Sequence, residues 1–175
     1  MHREYCVLFI SRRNSARSLM AEAVVNRHGK GRFRAFSAGV EPAAEADKMT
    51  AEVLEQGGYP ATELRPKHWS EFTRPDSPVF DFVFTLSDTA SKDTFPDWPG
   101  KPASSHWRYP DPIKNTGDDW QRRREFGRTL SALERQMRVF MQLPLERLDV
   151  IAMRKRLDDI GVEHNTSAAE APGAA

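Results

Sequence analysis

The chain of 175 residues is about one domain long, with 39% hydrophobic and 29% charged residues and a formal net charge of +1. That composition excludes a disordered chain, and the near-zero charge leaves no global field to draw the protein to nucleic acid or acidic lipid. A single cysteine, Cys6, excludes an internal disulfide, a CxxC redox pair and a multi-cysteine zinc site.

Residues 6–10, Cys-Val-Leu-Phe-Ile, are a short continuous apolar run and predict a strand buried on both faces of a parallel sheet. A polar loop follows. Leu19, Met20, Ala23 and Val24, at three- and four-residue spacing, then predict a helix that stops near Gly29 and Gly31. Residues 32–37 read as a second strand ended by Ala38 and Gly39. Residues 46–57 read as a second helix with Met49, Val53 and Leu54 on one side. Pro60, Pro66, Pro75 and Pro78 mark 59–78 as a connection. Residues 79–86, Val-Phe-Asp-Phe-Val-Phe-Thr-Leu, are the clearest strand.

The proline-rich stretch 94–116 carries Trp98 and Trp107, with a short fourth strand expected near 104–107. Residues 118–142 predict the longest helix, with Trp120, Phe126, Leu130, Leu133, Met137 and Phe140 on its apolar face and Pro144 to break it. A short amphipathic helix is expected over 145–160, and the final residues have too little to bury. The domain is therefore placed at 1–160 and a disordered tail at 161–175. Arg122, Arg123 and Arg124, and likewise Arg154, Lys155 and Arg156, read as solvated helix faces. No apolar run approaches the ~20 residues that span a bilayer, and the N-terminal run is too short for a signal peptide, so a cytoplasmic protein is expected. Alternating strands and helices give an α/β fold with a parallel sheet and helices on both faces, whose ligands sit at the carboxyl ends of strands.

The loop after the first strand, 11–18, reads Ser-Arg-Arg-Asn-Ser-Ala-Arg-Ser. A loop entering a helix N-terminus presents unpaired N–H groups, and the helix dipole adds roughly half a positive charge. Arg17 at its end can bind a tetrahedral oxyanion through two parallel hydrogen bonds. An ordinary helix cap at Asn14 or Ser15 with exposed arginines accounts for the same residues equally well.

Residues 7–23 resemble the first strand, loop and helix of thioredoxin-coupled arsenate reductases and low-molecular-weight tyrosine phosphatases, whose loop is Cys-x5-Arg-Ser. Residues 36–42 (Phe-Ser-Ala-Gly-Val-Glu-Pro), 64–72, 80–88, 96–100 (Pro-Asp-Trp-Pro-Gly) and 106–112 (His-Trp-Arg-Tyr-Pro-Asp-Pro) are similar to later segments of the same family, in order. The resemblance covers about residues 5–160 and implies that family's four-stranded parallel sheet. It also implies an anion loop formed by Arg12, Arg13, Asn14, Ser15, Ala16, Arg17 and Ser18. Ser11 stands where the family has its nucleophilic cysteine, and Asp111 where the phosphatases have their general acid.

By the same match, Ser87 and Phe95 stand where the reductases carry two further cysteines. No position of the thiol relay holds sulfur here, so thiol-dependent arsenate reduction is excluded. Cys6, five residues before Ser11 on a strand, does not replace them and reads as a buried apolar residue. Arg12 and Arg13 replace a small residue and a glycine, so the loop either bends differently or is strained. Asp111 has a second reading as a turn residue, and His106 reads as a hydrogen-bonded packing residue.

The expectation is an oxyanion binder that lacks a cysteine nucleophile. It would take phosphate, arsenate or a phosphorylated side chain, need no cofactor or metal, have no nucleic-acid or membrane partner, and act as a monomer or weak dimer. Two alternatives are a weak phosphate-monoester phosphatase using Ser11 or water with Arg17 and Asp111, and an interaction protein that has lost the site.

Overall fold

The computed structural model describes residues 3–170, with side chains described to residue 163. Four parallel strands form one sheet in the order β2-β1-β3-β4: β1 (Tyr5–Ser11), β2 (Phe33–Gly39), β3 (Phe82–Thr85) and β4 (Ala103–His106). The helices are α1 (Arg17–His28), α2 (Lys48–Gln56), the short α3 (Asp88–Ser91), α4 (Asp119–Met141) and α5 (Val150–Glu170). Single 3-10 turns lie at Trp69–Thr73, Pro112–Lys114 and Leu145–Arg147.

The continuous apolar run of β1 is needed because both of its faces are covered. Side chains alternate along a strand. Val7 and Phe9 enter a large core with Met20 and Val24 of α1, Val53 of α2, Phe126, Leu133 and Phe140 of α4, and Leu157 of α5. Leu8 and Ile10 point the other way, into a smaller core with Phe80, Val83 and Ala90, closed by the partly buried rings of Trp69, Phe72, Phe95 and Trp98. Helices lie on both faces, as expected, but unequally: the long ones share the first core, and α3 with the Trp69–Thr73 turn covers the second. Trp107 anchors the first core, stacked on Phe84 at 3.9 Å between centroids, with its indole N–H donated to Leu157 O at 2.8 Å.

Several boundaries differ from the sequence reading, each for a local reason. β3 begins at Phe82, not at residue 79, and Val79 is exposed. The Asp81 backbone still bonds to Cys6 O and Ala103 N–H, but its carboxylate takes the Cys6 N–H at 2.9 Å, where a preceding strand residue would offer a carbonyl, and pairs with Arg3. Cys6 is half-buried, not fully buried. Trp120 lies off the apolar face at 65% exposure, because it sits in the first turn of α4 before the packed positions begin at Phe126. The single helix expected over 145–160 is a 3-10 turn followed by α5.

Gly161 does not stop α5. It lets the helix approach the sheet, since a Cβ there would stand 2.8 Å from Trp107 Cδ1. The chain is helical to Glu170, and residues 171–175 of the expected tail lie outside the described residues. No helix among the described residues is long and apolar enough to cross a membrane.

The parallel register brings the carboxyl ends of the strands together: Ser11 pairs with Gly39, Ile10 with Thr85, and Thr85 with His106. The 11–18 loop leaves the sheet at this end.

Candidate functional site

Ser11 closes β1 and is almost fully buried. Its Oγ accepts the Asn14 N–H at 3.3 Å and lies 2.7 Å from Ser18 Oγ, which in turn accepts Asn14 Nδ2–H at 2.8 Å. Among the described residues, no side chain able to take a proton as a base touches Ser11 Oγ. A proton donated from Ser18 to Ser11 leaves the Ser11 hydroxyl proton free to be donated into the loop.

The loop backbone is fixed from outside. Val40 N–H and Glu41 N–H donate to Arg12 O, Ala43 N–H to Arg13 O, and Asp47 N–H and Thr50 Oγ1–H to Ser15 O. Its carbonyls thus face away, toward β2 and α2. Among the described residues, the N–H groups of Arg12, Arg13, Ser15, Ala16, Arg17 and Ser18 make no hydrogen bond within the protein. Gly39 permits this close approach: a Cβ on it would stand 3.0 Å from both Arg12 O and Asn14 Cβ.

The left-handed residue of the loop is Asn14 (φ 49°), a type that tolerates that region. Neither Arg12 nor Arg13 has positive φ, so neither bears the strain that losing a glycine would bring. Their side chains are exposed, and Arg12 pairs with Glu41 at 3.0 Å.

Ala16 is the N-cap of α1 and has no side chain to accept the helix's first N–H groups. The contrast with α2 and α4 is direct: Asp47 and Asp118 accept first-turn N–H groups there, Asp118 within a full capping box. The open N-terminus of α1 favours an anion through its dipole and its unpaired donors.

Arg17 is 7% exposed. Its Nη1 donates to Tyr109 O at 3.0 Å and its Nη2 lies 3.3 Å from Asp111 Oδ2, while its Nε–H has no partner among the described residues. Burial lowers its pKa from the usual arginine value, and the neighbouring Asp111 and Asp88 act against that shift. Asp111 lies beside Arg17 and also serves as the turn residue of the sequence reading, capping Pro112–Lys114 by accepting Ile113 N–H at 3.1 Å.

The structure therefore brings Ser11, Asn14, Ser15, Ala16, Arg17, Ser18 and Asp111 to one place and leaves the side chains of Arg12 and Arg13 at the surface. His106 is held by Thr85 and lies 3.3 Å from Asp88, as a bonded histidine. Three contributors escaped the sequence reading. Tyr109 orients Arg17 through a carbonyl. Lys67 donates its backbone N–H to Asn14 Oδ1 at 3.0 Å. Glu22, half-buried on α1, accepts the Ser37 hydroxyl, and its pKa is raised, chiefly by burial. The proximity of Tyr109 to Asp111 in the chain was the one available signal.

Comparison with curated proteins gives no match. Among solved structures, the chain is similar to an arsenate reductase from Archaeoglobus fulgidus, with 30% identity and a TM-score of 0.57 over 74% of this chain and 96% of that one. An arsenate reductase in the phosphate binding state shares 22% identity and a TM-score of 0.63 over 78% and 96% of the two chains. The tyrosine phosphatase Wzb from Escherichia coli K30, in complex with sulphate, shares 18% identity and a TM-score of 0.61 over 80% and 98%. The family model for low molecular weight phosphotyrosine protein phosphatase matches residues 6–155. With that span and the shared sheet, the chain belongs to the low molecular weight phosphotyrosine protein phosphatase family.

Proposed function

We propose that the protein binds a tetrahedral oxyanion, either phosphate, arsenate or a phosphorylated side chain, in the 11–18 loop, and that it does so without a covalent intermediate. The observation that carries this reading is the uncapped N-terminus of α1, whose first residue is a buried arginine with an Nε–H that has no partner among the described residues. Six N–H groups, the Arg17 fork and the Ser11 hydroxyl supply donors at a buried, positively polarised point. The phosphate and sulphate named for two structural neighbours have the same tetrahedral geometry.

Ser11 serves as a donor in this reading. A serine hydroxyl is too weak an acid to ionise near neutral pH, and no base among the described residues touches its oxygen. Cys6 lies five strand residues away, roughly 16 Å, too far to act as the nucleophile.

A second reading, slow hydrolysis of a phosphate monoester by water, draws on the position of Asp111 beside Arg17, where a leaving oxygen would be protonated.

Calorimetric titration of phosphate and arsenate tests the first reading. Saturable binding is expected in the natural chain and is lost in Arg17→Ala; the absence of binding at millimolar anion would reject it. Release of nitrophenol from its phosphate ester, abolished by Asp111→Asn, would select the second.

A further inference from the structure

α4 begins beside a groove of about 610 Å³ whose walls include Lys114, Trp120, Arg124, Glu125 and Arg128. Trp120 is the aromatic that helical periodicity assigned to the core, yet it is 65% exposed, with the Arg124 guanidinium 5.4 Å from its ring centroid. Lys114 and Arg124 are exposed, and among the described residues neither makes an ion pair. Arg128 is offset by Glu125 at 3.2 Å. Three cations against one carboxylate leave the groove a surplus of two positive charges, in a chain whose net charge is only +1.

A short turn of the chain links the groove to the residues around the 11–18 loop. Lys114 closes the 3-10 turn that Asp111 caps, and Asp111 faces Arg17 at 3.3 Å. A 3-10 turn rises about 2 Å per residue, which puts Lys114 roughly 6 Å along the turn from Asp111. An extended peptide advances about 3.3 Å per residue, so a chain with one side chain in the loop reaches the groove within about two to four positions.

We infer that this groove binds the acidic flank of a phosphorylated peptide whose phosphoryl group occupies the 11–18 loop. The inference rests on the oxyanion reading of that loop. Carboxylates in the flank meet Lys114 and Arg124, and an apolar residue or peptide plane packs on the Trp120 ring, which Arg124 already holds on one side.

The test titrates four probes into the full chain: inorganic phosphate, a phosphotyrosyl peptide with Asp and Glu flanks, the same peptide with Ser and Gly flanks, and the unphosphorylated acidic peptide. Phosphotyrosine is the probe because its length reaches a buried loop. The acidic phosphopeptide is expected to bind about tenfold more tightly than the neutral one, equivalent to ~1.4 kcal/mol. That advantage shrinks as salt rises. It disappears in Lys114→Glu/Arg124→Glu, while that variant binds phosphate as the natural chain does. Trp120→Ala weakens both phosphopeptides without changing phosphate affinity.

Equal affinity for the two phosphopeptides, an advantage that survives in the charge-reversed variant, or equally tight binding of the unphosphorylated acidic peptide overturns the groove assignment. If a folded protein binds neither phosphate nor any phosphopeptide, the loop reading itself has failed, an outcome distinct from normal phosphate binding with no gain from acidic flanks.

Discussion

Asn14 and Lys67 are joined by a hydrogen bond of 3.0 Å from the Lys67 backbone N–H to Asn14 Oδ1, which ties the 11–18 loop to the connection that follows α2. The Nδ2–H of the same Asn14 side chain donates to Ser18 Oγ at 2.8 Å. One fully buried side chain thus sets both the shape of the loop and the orientation of the hydroxyls at its base. Asn14→Ala loses both bonds, each worth about 1 kcal/mol net, and places a Cβ-bearing residue without a local hydrogen bond at φ 49° for ~1 kcal/mol more. A stability loss of about 2–4 kcal/mol in urea unfolding is expected, with Asn14→Gly recovering only the torsional part. A loss below about 0.5 kcal/mol would show that the loop holds its shape without Asn14.

Asp111 lies 3.3 Å from Arg17 and would compete for it with the proposed anion. Asp111→Asn removes a negative charge next to the site, and phosphate affinity is expected to rise severalfold at low salt, with less effect at high salt. A fall in affinity in this variant would mean that Asp111 acts mainly by holding Arg17 in place.

Ser11→Cys puts a thiol at the base of the cradle. Unpaired N–H groups, the dipole of α1 and Arg17 all favour a thiolate there. The introduced thiol is expected to alkylate with iodoacetamide at about pH 7, below the range of free cysteine. Cys6 should stay unreacted at the same pH, because burial, followed by Asp81 and Glu4, pushes its thiol pKa up and disfavours the thiolate. Peptide mass mapping after a pH series distinguishes the two sites. An introduced thiol no more reactive than Cys6 would contradict an electropositive loop.

Glu22 carries a pH signature of its own. Its folded pKa is raised, first by burial, with the Ser37 hydroxyl, Lys67 and Arg65 acting in the opposite direction. A raised acid binds its proton more tightly when folded. Stability is therefore highest below the unfolded glutamate pKa and falls as pH climbs through the unfolded and then the folded value. Glu22→Gln keeps an oxygen to accept Ser37 Oγ–H and removes the titration. The variant is expected to be more stable than the natural chain at pH 7, with the difference closing toward about pH 4. A gap independent of pH in denaturant melts would rule Glu22 out as its source.

The parallel sheet and its order of elements were legible because apolar runs such as 6–10 admit few alternatives to a strand covered on both faces. The loop was legible through residue types, since Asn14, Arg17 and Ser18 are chemically particular. Trp120 misled, because helical periodicity assigns a side to a residue but does not say where along a helix packing starts. β3 was overextended because β-propensity at Val79 and Phe80 does not register that the Asp81 side chain takes the Cys6 N–H, a contact made 75 residues away. The role of Tyr109 was hidden for a different reason: it acts through a backbone carbonyl, and any residue type can supply one.

The bond from Arg17 to Tyr109 O spans 92 residues, whereas the loop donors lie within eight consecutive positions. The cradle's backbone can take shape when β1, β2 and α1 meet, but its anchoring arginine has no acceptor until β4 and the segment after it have docked. Closing so long a loop is slow compared with forming a helix. During refolding, anion affinity should therefore emerge with the final global step, lagging behind the first helical signal, and a phosphate present from the start would stabilise the product without hastening its nucleus.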